Sequence, residues 1–331
     1  MAKMIRRRTA IATAIAAGAL AAPMQAWAKG SYPAEPANRI VVPFAAGGTA
    51  DCLGRLVAQI LSESMRSAFV IENWTGAGGN LSAEIVAKAR PDGRTLLLGT
   101  VGTAVTNQYL YKNIPYDCEL SFAPVALVAE VPNILVVHPT FPATTFEEFV
   151  HYCGKQGRDE LSYGSPGIGA TGHLTMEYLK SRAGINLKHV AYASRSQMNR
   201  DLLAGNILIA MDNLPTYLRH ARSGALRALA VSSPERWFAA PDVPSIAEQG
   251  YPDFDASLWW YIAAPAGTRL ELVKKLSDTI VQGFKSETVI RKTRKCGASE
   301  RPGNTVELAR HIGAERTKWK KVIDAAKLVP Q

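Results

Sequence analysis

Two glycine-rich loops are the parts of the sequence whose residue types and spacing are best suited to binding chemistry. They occupy residues 45–49 and 76–80, and each lies between an apolar run and a stretch with helical spacing. Glycine lets backbone N–H groups approach an oxyanion, and the start of a following helix adds a partial positive charge. The pattern favours a carboxylate held by main-chain groups, with ordinary tight turns as the alternative interpretation. Asp51 follows the first loop, where helix capping and ligand contact are both open roles.

A third glycine loop, residues 167–172, matches G-x-G-x-x-G between a predicted strand and a predicted helix. A dinucleotide site also expects an acidic residue about 20 positions later, but that region reads Ala193-Ser194-Arg195. Because Arg195 would suit an NADP 2′-phosphate, an NADP-binding enzyme is the alternative to a binding protein. The motif is weak alone and lies in the middle of the chain, so we expect no nucleotide cofactor.

Other catalytic and metal patterns are missing from the sequence. Residues 164–167 do not form a G-x-S-x-G elbow, because Tyr163 stands at the first position. His173 comes at a predicted helix start, where a structural hydrogen bond is the expected role. The six histidines show no H-E-x-x-H spacing. We therefore expect no catalytic residue and no metal site.

The elements that must position these loops alternate between strands and helices, which is typical of α/β lobes with a mainly parallel sheet. Hydrophobic periodicity predicts strands at 39–44, 68–73, 95–99, 161–165, 187–191, 207–211 and 226–231. It predicts helices at 50–64, 81–89, 171–182, 269–284 and 305–327. Two β-rich stretches flank Pro132-Asn133 and suit a strand that crosses between lobes, and residues 258–264 suit a return strand. We place one lobe at 29–128 and 258–331 and the other at 129–257.

The first 28 residues predict export. Lys3 and Arg6-Arg7-Arg8 precede a short apolar run at 9–22, and Ala26-Trp27-Ala28 fits a cleavage site. The run is shorter than the roughly 17–25 residues that a membrane anchor needs. We expect cleavage after Ala28 and a periplasmic location, with Sec and Tat export both open.

Charge and cysteine content narrow the partners. The formal charge is +10, and removing four basic residues with the first 28 leaves +6, which favours an anionic ligand. The basic residues are dispersed, so we expect no nucleic acid. Four cysteines, Cys52, Cys118, Cys153 and Cys296, allow three full pairings that sequence cannot choose between, and the expectation is one bridge or none.

An ordered set of motifs covering essentially the whole chain after residue 28 resembles the Bordetella uptake gene family, the substrate-binding receptors of tripartite tricarboxylate transporters. The most specific stretches are 40–51, with Val42-Pro43-Phe44-Ala45-Ala46-Gly47-Gly48, and 70–80, with Gly76-Ala77-Gly78-Gly79-Asn80. Further motifs are Pro91-Asp92-Gly93, Tyr163-Gly164-Ser165, His173-Leu174, Asp212-Asn213-Leu214-Pro215, Asp242-Val243-Pro244-Ser245 and Ala264-Pro265-Ala266-Gly267-Thr268.

The resemblance implies a type II periplasmic-binding-protein fold, in which two α/β lobes joined by crossover strands close on a small carboxylate. It implies a monomeric receptor that serves inner-membrane permease subunits, with partnership to a membrane sensor kinase as the alternative role. The family pattern and the residues above together predict these ligand-binding positions: Phe44, Ala45, Gly47, Gly48, Thr49, Asp51, Gly76, Ala77, Gly78, Gly79, Gly167, Ile168, Gly169, Ala170, Thr171, Tyr192, Arg195 and Asp212.

Two departures from the family pattern bear on the ligand. After Tyr192 the family usually continues with Lys-Gly-Gly, whereas this chain has Ala193-Ser194-Arg195. An inward Arg195 would favour a second carboxylate, and an outward one would be a surface charge. Trp74-Thr75 replaces a common Arg-Pro, and the indole suits either stacking on an aromatic acid or packing between lobes. Dicarboxylates, tricarboxylates and aromatic acids all stay open as ligands.

Overall fold

The structure is a computed structural model that describes residues 38–155 and 161–330. The predicted signal peptide and its cleavage site after Ala28 lie outside these residues. Within the described ranges, none of the helices combines the length and the apolar character needed to cross a membrane.

Eleven strands are described: β1 Asn38–Val42, β2 Phe69–Asn73, β3 Thr95–Thr100, β4 Phe122–Val131, β5 Asn133–Val137, β6 Ser162–Ser165, β7 Lys188–Ala191, β8 Ile209–Asn213, β9 Arg227–Val231, β10 Leu258–Pro265 and β11 Ser299–Gly303. The described α-helices are α1 Thr49–Met65, α2 Asn80–Ala87, α3 Asn107–Leu110, α4 Phe146–Lys155, α5 Thr171–Ala183, α6 Arg195–Leu203, α7 Leu218–Arg222, α8 Leu270–Phe284, α9 Glu287–Lys295 and α10 Thr305–Ala325. A π-helical turn, Gly102–Thr106, leads into α3.

The strands form two sheets, in the orders β11-β4-β10-β3-β1-β2 and β7-β6-β8-β5-β9. The predicted pair of α/β lobes is therefore confirmed. Both sheets are mixed: in the first, β10 runs antiparallel to β3 and β4 and β11 runs antiparallel to β4, and in the second β5 runs antiparallel to β8 and β9. The parallel ladders are confined to β1, β2 and β3 in one sheet and β6, β7 and β8 in the other.

The chain changes sheet at Pro132, since β4 ends at Val131 and β5 begins at Asn133. It returns to the first sheet with β10 at Leu258. The predicted crossover strands are confirmed in this sense, while the lobe limits at 128/129 and 257/258 stay a prediction. Strand β10 is buried on both faces, with Trp259 on one side and Trp260 on the other. Such burial explains its continuous apolar run.

One disulfide links the first turn of α1, which follows the first glycine loop, to the C-terminal part of the chain. Cys52 in the first turn of α1 pairs with Cys296 at the end of α9, with a Cα–Cα distance of 5.9 Å, while Cys118 and Cys153 are free. The Thr49 hydroxyl donates to the Cys296 carbonyl at 3.0 Å. The sequence left the pairing open. The structure has one bridge, which joins the start of α1 to the C-terminal part of the chain in the same lobe.

Removing this bridge is expected to lower the free energy of unfolding. The cysteines are 244 residues apart, so the bridge strongly restricts the unfolded chain, and its loss should cost about 3 kcal/mol. Urea unfolding of the Cys52→Ala/Cys296→Ala variant measures this, with Cys118→Ala as a control for losing a free thiol. Equal midpoints for the oxidised and the dithiothreitol-reduced wild type would contradict it.

Candidate functional site

A cavity of about 760 Å³ lies between the carboxyl ends of the parallel strands of the two sheets. Open α/β sheets bind ligands at this edge. The first sheet and its loops contribute Phe44, Ala45, Ala46, Gly48, Thr49, Ala50, Gly78, Thr100, Val101, Gly102, Thr106, Asn107, Leu110, Tyr111, Val131, Leu258 and Trp260. The second contributes Pro166, Gly167, Ile168, Gly169, Ala170, Thr171, Arg195, Asp212, Asn213, Pro215 and Thr216.

The loop after β1 leads directly into α1, so it presents main-chain N–H groups to the cavity. Gly48 is the N-cap of α1 and carries no side-chain oxygen that could bond the first-turn amides. The Asn73 amide donates to the Phe44 carbonyl at 2.9 Å and joins the loop to the end of β2. The helix start is therefore arranged to accept an anion.

Asp51 supports this loop from beneath. Its buried carboxylate accepts from the Gly47 N–H at 3.2 Å and from Arg55 at 3.0 and 3.3 Å. The Arg55 hydrogen bond lowers the pKa of Asp51 below its ordinary value. Neither Asp51 nor Gly47 is among the residues that line the cavity. These contacts fit the helix-start role of Asp51, and its contact with a ligand stays a prediction.

The second glycine loop reaches the cavity through Gly78, while Gly76, Ala77 and Gly79 are not among the lining residues. Gly78 has φ +63°, and a Cβ there would come within 2.6 Å of the Tyr111 hydroxyl. The side-chain amide of Asn107 donates to the Gly78 carbonyl at 3.2 Å and thereby holds the loop against the start of α3. The positive φ and the nearby Tyr111 hydroxyl both favour glycine at this position.

The end of β3 forms a third part of this wall that sequence reasoning missed. Thr100, Val101 and Gly102 line the cavity at the point where the strand turns into a helix. β3 is parallel to β1, so its carboxyl end lies at the same edge of the sheet. The sequence carries a signal for this part, because residues 95–99 predict a strand whose carboxyl end lies here. The crossover residues Val131, Leu258 and Trp260 carry no comparable signal.

On the opposite wall, α5 begins at the cavity. Its N-cap, Ala170, cannot accept a hydrogen bond from the first-turn amides through its side chain. The Thr171 hydroxyl donates to Asn133 Oδ1 at 3.3 Å, and Asn213 Nδ2 donates to the same oxygen at 3.0 Å. These bonds fix the polar side chains of the wall relative to β5 and β8.

Arg195 and Asp212 are the charged residues among the described cavity-lining residues. Arg195 Nε donates to Asp212 Oδ2 at 2.5 Å, and Nη2 donates to Oδ1 at 3.0 Å. The Asp212 side chain is fully buried, whereas 45% of the Arg195 side chain is exposed. Arg195 therefore faces the cavity, and its bidentate partner orients the guanidinium.

Two stacked histidines lie beneath the loop at residues 166–170. The rings of His173 and His189 are 3.8 Å apart between centroids. The Gly169 N–H donates to His173 Nδ1 at 3.0 Å, so the predicted structural hydrogen bond of His173 is confirmed. Burial lowers the pKa of His173 to about 4 and that of His189 to about 3.

The lowered pKa values of these two histidines predict that the protein loses stability in acid. Their folded-state pKa values lie below the ordinary 6.5, so their contribution to stability is fully present above about pH 6.5 and is lost as the pH falls towards 4. Urea unfolding at pH 7 and pH 5 should show a smaller loss in His173→Asn than in the wild type. The same replacement at the exposed His151 serves as the control. Identical losses in the wild type and His173→Asn would contradict the assignment.

Twelve of the predicted positions line the cavity, and they come from both walls: Phe44, Ala45, Gly48, Thr49, Gly78, Gly167, Ile168, Gly169, Ala170, Thr171, Arg195 and Asp212. Tyr192 lies behind the wall, where its ring would meet a Cβ added at Gly164. Trp74 is exposed and donates to Glu72 Oε2 at 3.2 Å. It is not a cavity-lining residue, so its position supports neither stacking on a ligand nor packing between lobes.

Comparison with known proteins agrees with this geometry. A sequence profile described as tripartite tricarboxylate transporter family receptor matches residues 53–328. The chain belongs to this family. It is a receptor of the periplasmic binding protein class and not an enzyme.

Three solved structures have the same fold over nearly their whole length. A Rhodopseudomonas palustris protein solved with adipate is 37% identical, with a TM-score of 0.76 over 89% of this chain and 98% of the other. The periplasmic binding protein BugD is 31% identical, with a TM-score of 0.71 over 88% and 98%. MatC from the same R. palustris, solved with bound malate, is 30% identical, with a TM-score of 0.71 over 87% and 98%.

Proposed function

We propose that this receptor captures a linear dicarboxylate between its lobes and delivers it to the permease of a tripartite transporter. The observation that carries the proposal is the placement of anion-binding groups on both walls of one cavity. The first wall offers main-chain N–H groups, and the second offers the oriented guanidinium of Arg195.

One ligand carboxylate fits the first wall. The start of α1, Gly78 and the end of β3 all line this end of the cavity, so main-chain groups of three segments border it. The start of α1 contributes a partial positive charge to an anion. No cationic side chain is among the described lining residues of this wall, so main-chain groups carry the recognition.

A second carboxylate fits the opposite wall. Asp212 uses the Nε and Nη2 side of Arg195, which leaves the other edge of the guanidinium for a ligand oxygen. Thr171 and Asn213 add hydroxyl and amide groups beside it. Such a site favours a carboxylate over an apolar group because the N–H groups that Asp212 does not use would otherwise lose their water on closure without gaining a partner.

Apolar side chains line the space between the two polar ends. Phe44 and Ile168 are 40% and 50% exposed on opposite walls, and Leu110 joins them in the lining. These residues suit the methylene chain of a ligand and would lose exposed area when the lobes approach. Two relatives, solved with adipate and with malate, show that four- and six-carbon dicarboxylates bind within this family.

A thermal-shift screen of protein freed of copurified ligand tests the proposal. The probes are adipate, malate, tricarballylate, benzoate and the monoamide of adipic acid, which keeps the adipate shape but loses one charge. A ligand at a hundredfold excess over its Kd stabilises the folded state by about 2.7 kcal/mol. We expect a dicarboxylate to give the largest shift and the monoamide a much smaller one. Equal shifts for adipate and its monoamide would contradict the second carboxylate site.

The proposal includes export and transport. We propose that the signal peptide is removed after Ala28, so Edman sequencing of the exported protein should begin at Lys29. Deleting the receptor gene should abolish uptake of the radiolabelled acid that gives the largest shift. Retained uptake would contradict the transport role and leave the binding activity intact.

A further inference from the structure

The loop at residues 166–170, which forms much of the second wall, rests on side chains that do not touch the cavity. His173, His189 and Ser165 lie beneath it and are not among the lining residues. Both glycines of this loop adopt positive φ angles, Gly167 at +136° and Gly169 at +78°. A loop with this much glycine has many alternative conformations, so some other contact must select the observed one.

Hydrogen bonds to the side chains of His173 and Ser165 hold the loop in the observed conformation. The Gly169 N–H donates to His173 Nδ1 at 3.0 Å, and the Ser165 hydroxyl donates to the Gly167 carbonyl at 3.0 Å. The Ser165 oxygen also lies 2.7 Å from His189 Nε2. With the single hydroxyl hydrogen directed to Gly167, His189 Nε2 is the donor in that contact. His173 Nδ1 accepts, so its proton is on Nε2.

This pattern needs a neutral His173. A proton on Nδ1 would face the Gly169 N–H and remove the acceptor that holds it. Neutrality is favoured because His173 is buried and stacked on His189, with Lys180 nearby and Tyr163 covering the stack. The Tyr163 hydroxyl donates to Glu177, which is paired with Lys180. The negative charge nearest the rings therefore already has a cationic partner.

We propose that His173, supported by His189 and Ser165, is the positioning residue that sets the ligand-binding conformation of the 166–170 loop. The loop also contacts the other lobe, since a Cβ added at Gly169 would lie 2.7 Å from Leu110 Cδ1. The conformation held by His173 thus decides how closely this wall approaches the first lobe. The inference rests on the proposed function in taking this loop as a ligand wall.

Amide exchange in ligand-free protein, followed by NMR, tests the positioning role without any ligand. In His173→Leu the acceptor is lost, and we expect the Gly169 amide to exchange at least about tenfold faster, relative to the core amide of Leu135 in β5. In His173→Asn the side-chain oxygen can take the place of Nδ1, and the Gly169 exchange should stay within about threefold of the wild type.

Adipate titration by calorimetry adds the functional readout. We expect about a tenfold loss of affinity in His173→Leu and a retained affinity in His173→Asn. Unchanged Gly169 exchange in His173→Leu would overturn the proposal, as would equal losses in both variants. If adipate fails to bind the wild type, the proposed dicarboxylate function loses its support, and the exchange result alone decides the role of His173.

Discussion

Replacing Gly172 by alanine is expected to destabilise the protein by about 3 kcal/mol or more. Gly172 lies in the first turn of α5, where a Cβ would come within 2.0 Å of the Met211 carbonyl oxygen and 2.8 Å of its carbon. These are backbone atoms of β8, so no side-chain rotation relieves the clash. The helix must move away from the strand, and Thr171 and Asp212 then lose their relative placement in the cavity.

Gly313→Ala is the matched control, because it makes the same chemical change inside a helix. A Cβ at Gly313 in α10 would meet no described atom within 4 Å, and alanine should stabilise the helix by about 1 kcal/mol. Urea unfolding of both variants gives the comparison, and the thermal shift with adipate reports the cavity. An unfolding midpoint for Gly172→Ala equal to the wild type would show that α5 does not pack on β8 as described.

The first wall of the cavity was largely predictable, because its information is local in the sequence. The run at 39–44 is apolar, and the glycine-rich segment that follows leads into a helical pattern. These features predict both a strand–loop–helix unit and the anion-binding role of its turn. The same logic applied to Thr100 and Gly102 would have extended the prediction to the third strand, since its carboxyl end lies at the same edge.

The sheet architecture was only partly predictable, because strand order depends on contacts between distant segments. Apolar runs show that residues 122–131 and 258–265 form strands, but both faces of β10 are buried, so the run carries no periodicity that indicates direction. Its antiparallel placement between β3 and β4 is a tertiary outcome. The same holds for the Cys52–Cys296 bridge, whose partners are 244 residues apart.

The sequence does not predict the pairing of Arg195 with Asp212, although it predicts both residues as ligand-binding positions. Arg195 begins α6 after β7, and Asp212 lies in β8. They meet because the chain passes from β7 through α6 to β8, and in the sheet β8 is separated from β7 only by β6. A pattern in the chain shows neither the neighbour relation nor the inward direction of the guanidinium.

Replacing Arg195 by alanine is expected to weaken dicarboxylate binding by about 10–100-fold, because a charge-assisted contact to the second carboxylate is lost. The same change leaves the fully buried Asp212 carboxylate without its bidentate partner, which should lower the free energy of unfolding by about 2 kcal/mol. The single variant therefore mixes a binding effect with a folding effect.

Asp212→Asn separates the two effects. On its own it removes the competing negative charge, while the side-chain oxygen of the introduced asparagine can still accept from Arg195, so adipate should bind about tenfold more tightly and gain more than its singly charged monoamide. Combined with Arg195→Ala, it removes the unpaired buried charge, so stability should recover while adipate affinity stays low. Calorimetric titration and urea unfolding of the four proteins complete the cycle. If the double variant regains adipate affinity together with stability, Arg195 acts only through the fold, and the ligand has no second carboxylate at this wall.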